Sequence, residues 1–438
     1  MRTAKDNFWL DTPYEAGPAL AGDHETDVAI IGGGFTGVAS AYFIKKRFPE
    51  KRVIILESEF IGFGSSGRNS GIAAGMLGNS AFLLKKTHGI EKTAGLQRLA
   101  DQALSLVEEL IKEHEIDCDY EKNGRLIIAE NGKALKQLEQ EAKACEEVGV
   151  PVTWLGREEV RSRIGALDAL GGLYFPDEAM LNPAKLVRGM RKVVERLGVE
   201  VYEHSRCTHI EPGSAAYLYT PLARVRAANI VMATNAYSNP LGLFRHKVLP
   251  FYVYNIVTEP LTQQQMDDFH WTGRVALFNQ KHFFYNLYPT ADNRLLFIDC
   301  DALYFYHVDR HYSHRPAEYR SHYNLLLKKF PFLKGIKVTH QWGGRIGVTL
   351  DWLPSIGRTG KHQNVYYSMG YNGHGLTLSH LAGKMLAQLM AGEKTDLTDH
   401  ILINKAIFGV PSAWLTYLGV NVYTLYLKTL DYMMDMRK

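Results

Sequence analysis

The sequence has little of what marks several common functional classes. Its 438 residues include only four cysteines, none in a CxxC pair, so neither a zinc site nor a disulfide framework is expected. Neither sign of charge dominates, because 50 Lys and Arg stand against 46 Asp and Glu. No basic patch alternates with aromatic residues, which argues against nucleic-acid binding. The first residues contain no apolar signal-peptide core, so we expect a reducing, cytoplasmic location.

Long apolar runs are also missing, with one exception near the end of the chain. Between Lys405 and Lys428 lie 22 uncharged residues, close to the ~20 that a membrane span requires. Pro411, Asn421 and several hydroxyl residues weaken that interpretation. Three alternatives stay open for residues 406–427: packing on the protein itself, peripheral contact with a membrane surface, or a true span.

What is present begins with a nucleotide-binding pattern. Residues 27–31 are typical of a buried strand, and GGGFTG, a helix with apolar spacing and a second strand ending in Glu57 follow. Gly32 permits a tight turn, Gly34 lets the backbone approach a pyrophosphate, and Gly37 lets helix and strand pack closely. Glu57 lies 20 residues after Gly37, where a carboxylate accepts hydrogen bonds from ribose hydroxyls. The pattern predicts a dinucleotide site but does not choose between NAD and FAD.

The loop that follows favours FAD. Residues 64–71, GSSGRNSG, contain no large apolar side chain. Their hydroxyl, amide and guanidinium groups supply hydrogen bonds, and their glycines let the backbone lie against a flat ring. An NAD site would instead be followed by more alternating strands and helices. We therefore predict that this loop runs beneath the pyrophosphate and reaches the flavin ring.

Further blocks carry a family resemblance. DVAIIGGGFTG, LESEFIGFGSSGRNSG, GGLYFPDEAMLNPAKLVRGM, IVMATNAYSNP, WGGRIGVTLDWLPSIGR and YYSMGYNGHGLTLSHLAGKMLAQLM occur in this order. Together they resemble the glycine/D-amino-acid oxidase superfamily of FAD enzymes, and within it the gamma-glutamylputrescine oxidase-like branch, over roughly residues 7–400. The resemblance implies an α/β fold in which a Rossmann-like, glutathione-reductase-type FAD domain is interleaved with an α+β substrate domain built on an antiparallel sheet.

The resemblance also implies how the chain is divided. The FAD-binding domain is expected to be discontinuous, and the intervening segments form the substrate domain. The expected boundaries are 20–100, 170–240 and 335–400 for the FAD-binding domain, 105–165 and 240–335 for the substrate domain, and 401–438 for an apolar C-terminal tail.

The expected cofactor residues come from the glycine pattern, the loop and the resemblance. Cys207 is one of them, with an ordinary buried thiol as the alternative. They are Gly32, Gly34, Phe35, Thr36, Gly37, Glu57, Ser65, Ser66, Gly67, Arg68, Asn69, Ser70, Gly71, Cys207, Ala233, Thr234, Gly344, Asn372, Gly373, His374, Gly375, Leu376 and Thr377.

The sequence near residue 375 predicts a strand at 364–369, a tight glycine loop and a helix. The positive end of that helix would point back at the loop. In the family this end lies by the flavin N1 and C2 carbonyl, where reduced flavin carries negative charge, and a helix N-terminus stabilises an anion without a proton. His374 and Thr377 would add hydrogen bonds.

The resemblance implies oxidation of a C–N bond by hydride transfer to flavin N5, followed by imine hydrolysis. Candidate catalytic residues are Tyr254, Tyr285, Arg345 and His374. Strand tyrosines at these positions suit an aromatic wall for a carbon chain carrying an amine, although core packing is the alternative. Arg345 would hold either a substrate carboxylate or a neighbouring backbone carbonyl.

Departures from the family pattern refine the expectation. Relatives that bind flavin covalently use a Cys near GGRIG or a His in the loop that here reads SSGRNSG, and neither is present, so non-covalent FAD is predicted. Sarcosine-type relatives carry a Lys where this chain has Thr377, which favours an amine over a small amino acid. They also use a Lys in the strand that here reads RLLFID to promote reaction with oxygen. O2, a quinone or another electron carrier therefore stay open as acceptors, as does a flavin-binding subunit without turnover.

One histidine group is a candidate metal site. His307, His311 and His314 would share a face if this stretch were helical. We expect a solvated polar loop here and no metal.

Overall fold

The computed structural model describes residues 6–436 except 79, 245, 306–313 and 411. The strands are β1 (Gly22–Ile31), β2 (Val53–Leu56), β3 (Ile72–Ala73), β4 (Arg125–Ala129), β5 (Thr153–Gly156), β6 (Gly171–Phe175), β7 (Ala179–Met180), β8 (Glu200–Tyr202), β9 (His209–Glu211), β10 (Ala216–Tyr219), β11 (Ala223–Met232), β12 (Leu249–Thr258), β13 (Ala276–Asn279), β14 (Tyr285–Pro289), β15 (Leu295–Asp299), β16 (Leu303–Tyr304), β17 (Val338–Val348), β18 (Ser355–Thr359) and β19 (Val365–Met369). The helices are α1 (Phe35–Arg47), α2 (Ala81–His88), α3 (Ile90–Glu113), α4 (Gly132–Val148), α5 (Arg157–Arg163), α6 (Pro183–Arg196), α7 (Gln263–Phe269), α8 (Pro316–Lys329), α9 (Gly375–Ala391) and α10 (Ala413–Asp435).

The first sheet has the strand order β18-β19-β11-β1-β2-β8, and β1 pairs in parallel with both β11 and β2. The apolar run at the end of β1 is buried on both sides, as expected of a central parallel strand. Val28 and Ile30 belong to the core that contains α1, α3, α6 and α9. Ala29 and Ile31 belong to the core on the other face, with β9 and β10.

The second sheet has the order β16-β12-β15-β14-β13-β4-β6-β5, and β17 pairs with the free side of β12. Its pairs are antiparallel except for β13 with β4. One face packs against α8, where Tyr254 and Phe297 meet Leu326. The other face carries Val257 and Trp342, which belong to a separate core cluster. The α/β class with an antiparallel second sheet is thus confirmed.

Two strands lie in a different sheet from the one that the expected boundaries imply. β6 falls within 170–240 and β17 within 335–400, both predicted as FAD-binding segments, yet both pair in the second sheet. Strand pairing is a long-range choice, and the sequence of an isolated strand does not name its partner. The division into domains by residue number stays a prediction.

The predicted strand at 364–369 and the helix from about 375 correspond to β19 and α9. Beyond α9, Leu402 is fully buried and the Asn404 amide donates to the backbone oxygen of Ile356. The chain then ends in α10. Among the described residues, no helix is long and apolar enough to cross a bilayer.

Candidate functional site

Three loops meet at the carboxyl edge of the first sheet, directly after the parallel strands β1, β11 and β19. The loops lie close together, because a Cβ placed on Gly32 would lie only 2.8 Å from the Ala233 backbone oxygen. Asn235 Oδ1 accepts a 2.9 Å hydrogen bond from the Gly370 amide, and Thr234 lies in the same loop. Parallel sheets bind ligands at this edge, so the structure brings these predicted residues to one place.

Helix α1 begins at the glycine-rich turn. Gly34 is its N-cap residue and supplies no side-chain cap, while Ser66 from the following loop accepts from the first helical amide, that of Phe35. Gly32 has φ of +107°, in the region that favours glycine. A Cβ on Gly37 would lie 1.9 Å from the Gly32 carbonyl oxygen, so only glycine lets the helix approach the strand this closely. The partial positive charge of this helix end suits a phosphate.

Glu57 follows β2 and lies against this turn. Its Oε2 accepts a 2.7 Å hydrogen bond from the Gly33 amide. Its Oε1 accepts from the Glu59 amide at 3.0 Å and from Ser58 Oγ at 3.1 Å. Burial raises the pKa of Glu57, and these hydrogen bonds oppose that shift. The carboxylate is therefore held at the position where the motif predicts a ribose.

The loop 64–71 connects the glycine turn with the second sheet. Ser66 Oγ accepts a 2.9 Å hydrogen bond from the Phe35 amide in α1. Ser65 Oγ donates to the backbone oxygen of Arg345 in β17. The loop therefore spans the space from the helix N-terminus to the edge of the second sheet, and its predicted course beneath the pyrophosphate to the flavin ring stays a prediction.

The loop is folded on itself by Asn69. Its Nδ2 donates to the Ser65 oxygen at 3.0 Å, and its Oδ1 accepts from the Gly71 amide at 2.8 Å. Gly71 has φ of +74°, and Tyr288 donates its hydroxyl to the Ser70 oxygen. Asn69 thus shapes the loop, and both polar atoms of its side chain form hydrogen bonds within the loop itself.

The N-terminal segment also holds this loop, which the sequence interpretation missed. Asn7 Nδ2 donates to the Gly67 oxygen at 2.9 Å, and Trp9 Nε1 donates to the Asn69 oxygen at 3.0 Å. Both residues are buried. The only signal in the sequence was that two aromatic residues and an Asn precede the first predicted strand, and nothing local ties them to a loop 60 residues away.

Arg68 is buried beside the loop and β17. Its Nε donates to the Phe63 oxygen at 2.7 Å, and an Nη donates to the Gly343 oxygen at 3.2 Å. Burial lowers its pKa. Within the described part of the chain, no carboxylate lies at salt-bridge distance from it. A buried cation without an acid suits an anionic or electron-rich ligand.

Helix α9 provides a second N-terminus, with His374 as its N-cap residue. His374 Nδ1 is buried and has no hydrogen-bond partner among the described residues. Burial, with the nearby charge of Arg125, lowers the pKa of His374 to about 4, so the imidazole is neutral at pH 7. Asn372 shapes the preceding turn: its Oδ1 accepts from the Thr349 amide at 2.8 Å and its Nδ2 donates to the Gly370 oxygen at 2.6 Å.

The two helix starts lie side by side. Thr36 Oγ1 and the Tyr371 hydroxyl share a 2.8 Å hydrogen bond. Thr377 Oγ1 donates to the Ala74 oxygen at 3.1 Å, which ties α9 to the segment after the loop 64–71, called the flavin loop for its predicted role. The remaining predicted residues of this turn are Gly373, with φ of +91°, Gly375 and the buried Leu376.

Cys207 lies beyond the end of β8, on the side of Glu57. The Ser205 amide donates to the Glu57 backbone oxygen at 2.7 Å. Cys207 Sγ donates to the His209 oxygen at 3.5 Å, and burial raises its pKa to about 12. Its environment is that of an unreactive buried thiol near the predicted nucleotide end.

Strand β17 carries two predicted residues. A Cβ on Gly344 would lie 3.1 Å from Arg68 Cβ, so glycine leaves room for the Arg68 side chain. The Arg345 guanidinium lies 5.0 Å from the Tyr237 ring and 5.3 Å from the Tyr252 ring. It forms no hydrogen bond or ion pair with any residue that the structure describes, so no neighbouring backbone carbonyl holds it, and a substrate carboxylate as its partner stays a prediction.

Tyr254 and Tyr285 lie on the face of the second sheet that α8 covers. The Tyr254 ring is 5.8 Å from Tyr319 of α8. Tyr285 donates its hydroxyl to Glu130 at 3.1 Å and stacks on Phe297 at 5.9 Å. The structure does not bring these tyrosines to the flavin loop. The strand alternation that selected them is real, but the packing of α8 decides which face is outward.

The opposite face meets the loop. Trp342 Nε1 and Asn255 Nδ2 approach the Arg68 backbone oxygen at 2.9 and 3.5 Å. Asn286 lies on the same face and pairs with Ile298 of β15. Since β15 lies between β14 and β12, Asn286 and Asn255 are two strand spacings apart, about 10 Å. Oδ1 of both asparagines is buried without a hydrogen-bond partner among the described residues. The alternation of side chains along the strands could have suggested these residues. It could not show which of the two faces of the sheet lies toward the site.

A buried ion pair lies at the far side of this face. Arg125 donates to both carboxylate oxygens of Glu178, at 2.7 and 2.8 Å. Its guanidinium is 4.3 Å from the Phe175 ring and 5.1 Å from the Phe278 ring, and it contacts Met76 Sδ at 2.9 Å. Glu178 falls inside a block that carries the family resemblance, yet neither residue was predicted as part of the site.

These residues fit FAD on three observations. Two helices begin at one sheet edge with N-cap residues that supply no side-chain cap, the Arg68 charge lacks an acid at salt-bridge distance in the described chain, and His374 Nδ1 is buried without a partner there. The turn at Gly34 would hold the pyrophosphate and Glu57 the ribose. The loop from Ser65 would follow the flavin.

The described residues contain no group of three or more His, Cys, Asp or Glu placed to hold a metal ion. His307 and His311 lie outside the described residues, so the predicted polar loop is not observed.

Comparison with known proteins adds relatives at the level of sequence. A family model for FAD dependent oxidoreductases, DAO, matches residues 27–389. The chain is 31% identical over 376 residues to gamma-glutamylputrescine oxidoreductase of Escherichia coli (strain K12), covering 84% of each chain. It is 24% identical over 382 residues to glycine oxidase of Bacillus subtilis (strain 168), covering 84% of this chain and 94% of the relative.

Solved structures show the same fold. Glycine oxidase from Geobacillus kaustophilus superposes with a TM-score of 0.72 at 22% identity, covering 85% of this chain and 96% of that chain. L-proline dehydrogenase from P. horikoshii superposes with a TM-score of 0.72 at 19% identity, covering 86% and 96%. The family match spans the first sheet, the flavin loop and α9, and with it the chain belongs to the DAO family of FAD-dependent oxidoreductases.

Proposed function

We propose that this protein oxidises the C–N bond of a small amine or amino acid. The observation that carries the proposal is the position of the 64–71 loop, which joins the nucleotide-binding turn to one face of the second sheet. The curated relatives named above include an oxidoreductase of gamma-glutamylputrescine and an oxidase of glycine. These names support an amine or amino acid as substrate.

FAD, when bound, would supply the acceptor for a hydride from the carbon next to a neutral amine and would be reoxidised by O2 to give H2O2, with water hydrolysing the imine. The protein's own residues bind and orient the amine. Asn255 and Asn286 present buried carbonyl oxygens that can accept hydrogen bonds from an N–H group. Phe278 and Phe284, whose ring centroids lie 5.4 Å apart, offer an apolar wall. Arg345 and His374 remain candidate catalytic residues.

The charge at the flavin end supports reduction of the cofactor. Arg68 is a buried cation, and the N-terminus of α9 adds partial positive charge at His374. Both stabilise negative charge without transferring a proton. Because His374 is neutral at pH 7, it can donate or accept one hydrogen bond without adding a second full charge.

We propose that FAD is held without a covalent bond. Neither the loop 64–71 nor the stretch 342–348 contains a Cys or a His. Denaturing the yellow protein should release flavin into the supernatant after acid precipitation. Flavin that stays on the precipitate would overturn this part of the proposal.

The test of the reaction is an anaerobic titration of the purified holoprotein with amines and amino acids, following the visible absorbance of oxidised flavin. Bleaching by polyamines or gamma-glutamyl amines, followed by recovery and H2O2 formation in air, supports an amine oxidase. The absence of bleaching by every amine and amino acid, with FAD bound, contradicts the proposed chemistry and favours a flavin-binding subunit.

A second candidate is an amine dehydrogenase that passes electrons to a quinone or carrier at a membrane surface. The observation that favours it is α10, whose large apolar side chains are exposed over most of its length. In the same titration, bleaching that persists in air and is reversed by a soluble quinone would favour the dehydrogenase.

A further inference from the structure

We propose that α10 seats this protein on the surface of a lipid bilayer and holds the edge of the second sheet next to the lipid. The proposal concerns a surface outside the family match, which ends at residue 389. It does not depend on which amine is oxidised or on which acceptor reoxidises the flavin.

Helix α10 contacts the protein along one narrow stripe. Ser412 caps its N-terminus by accepting a hydrogen bond from the Leu415 amide. Thr416, Asp431 and Met434 are its buried residues, and they recur at the spacing of one helix face. Met434 belongs to a core cluster with residues of α2 and α4. The helix is therefore attached to the protein along its length and does not float free.

The rest of the circumference is exposed and mostly apolar, with Asn421 and Thr429 as exposed polar residues. At about 100° per residue, the exposed large side chains cover an arc of about 240° around the helix axis. A single flat protein partner would cover a narrower face, whereas a bilayer surface surrounds an inserted helix on every side but one. The exposed residues are Trp414, Leu415, Tyr417, Leu418, Val422, Tyr423, Leu425, Tyr426, Tyr432 and Met433.

The charge pattern fits lipid more than an aqueous partner. No Lys, Arg, Asp or Glu occurs from residue 413 to 427. The three charged residues of α10 are all paired with protein residues, although Lys428 and Asp435 stay about half exposed: Lys428 donates to Asp301, Asp431 accepts from His282, and Asp435 pairs with Lys281. Trp and Tyr side chains, which are frequent on the exposed arc, favour the boundary between lipid and water.

Because α10 is attached to the second sheet, that sheet lies next to the exposed face of α10. Asp431 accepts hydrogen bonds from the amides of His282 and Phe283 at 3.1 and 2.9 Å. These residues precede β14, which carries Asn286 three positions later. Cys300, whose Sγ accepts a 3.5 Å contact from Asn286, follows β15. A bilayer that binds α10 would therefore lie close to the face that we assign to the amine.

The experiment uses the full-length holoprotein and vesicles of phosphatidylcholine, which carry no net charge. We expect wild-type protein to float with the vesicles, and high salt should not release it, because hydrophobic burial and not charge drives the binding. The variant Leu418→Glu/Val422→Glu/Leu425→Glu alters side chains that are 48%, 61% and 67% exposed. Its partition into the vesicle fraction should fall at least about tenfold.

The control is Leu222→Glu, which changes an equally exposed leucine, at 64%, in the turn between β10 and β11. It should float like wild type. Equal flotation of the triple variant and wild type, or no flotation of wild type, overturns the proposal. So does light scattering that shows a wild-type dimer which the triple variant dissociates, because a second copy would then cover α10. Flavin content and anaerobic bleaching of each variant report the redox site separately from lipid binding.

Discussion

The carboxyl edge of the first sheet and the inner face of the second sheet form the two halves of the site, and they differ in how they are specified. At the first half, the shape of the backbone depends on glycines with positive φ and on the starts of α1 and α9, all of which lie within a few residues of the sequence motifs. At the second, each strand offers two possible faces, and α8 decides which is covered. Backbone sites are therefore specified locally, whereas side-chain walls depend on contacts between distant segments.

Breaking the first half should have the largest effect. In Gly37→Ala, the new Cβ would lie 1.9 Å from the Gly32 oxygen, so α1 must move away from the strand. We expect purified protein with little or no bound flavin, measured by the ratio of visible to ultraviolet absorbance.

The matched control for this change is Gly132→Ala. Gly132 is the first residue of α4, and a Cβ there meets nothing within 4 Å. Flavin content should equal that of wild type. A Gly37→Ala protein with full flavin content would show that the close approach of α1 is dispensable for binding.

The ion pair of the second half should have the next largest effect. Arg125→Met leaves the Glu178 carboxylate buried without its bidentate partner, and we expect unfolding to become easier by about 3–5 kcal/mol. Urea denaturation measures this change. The double variant Arg125→Met/Glu178→Leu removes both charges and should recover much of the loss. If the double variant is no more stable than the single one, packing around the guanidinium matters more than the unpaired charge.

A pair of neighbouring residues tests the assignment of faces in the second half. Asn286→Ala removes a group on the inner face and should raise KM for the amine about tenfold, the value of one hydrogen bond of ~1.4 kcal/mol. Tyr285→Phe removes the hydroxyl that donates to Glu130 on the other face. It should lower the free energy of unfolding by about 1 kcal/mol and leave kcat/KM unchanged. If instead Tyr285→Phe lowers kcat/KM and Asn286→Ala changes only stability, Tyr285 is the residue that lies on the substrate side.

A dependence of stability on pH is expected to involve both halves. Burial lowers the pKa of His322, His374 and His380 from 6.5 to about 4. Between these values the unfolded chain binds more protons than the folded chain, so stability is complete above about pH 6.5 and falls as the pH drops toward about 4. The midpoint of thermal unfolding should therefore decrease between about pH 7.5 and about pH 5.

The control for the pH effect uses two single histidines. His380→Asn removes one buried imidazole and should reduce the dependence on pH. His362→Gln changes an exposed histidine and should leave it as in wild type. A midpoint that is the same at both pH values would contradict the assignment of the buried histidines as neutral groups that acquire protons on unfolding.

Most of the cofactor half could be predicted from the sequence. The glycine turn, Glu57 and the start of α9 lie where their local patterns indicate, because each requirement acts between residues close in the chain. The strands that flank them were predictable from their continuous apolar runs. By contrast, the hold of Asn7 and Trp9 on the flavin loop spans 60 residues and left no local pattern.

The sequence by itself determined the class of the fold, the glycine turn and the polar loop that follows the acid, since these depend on backbone freedom and short-range spacing. Only the tertiary structure decided that Asn255 and Asn286 lie toward the loop while Tyr254 and Tyr285 lie toward α8. It also showed that α10 packs by one stripe and exposes the rest. The physical reason is that burial is a relation between segments: a strand or helix carries its pattern alone, but the partner that covers a given face is supplied from elsewhere in the chain.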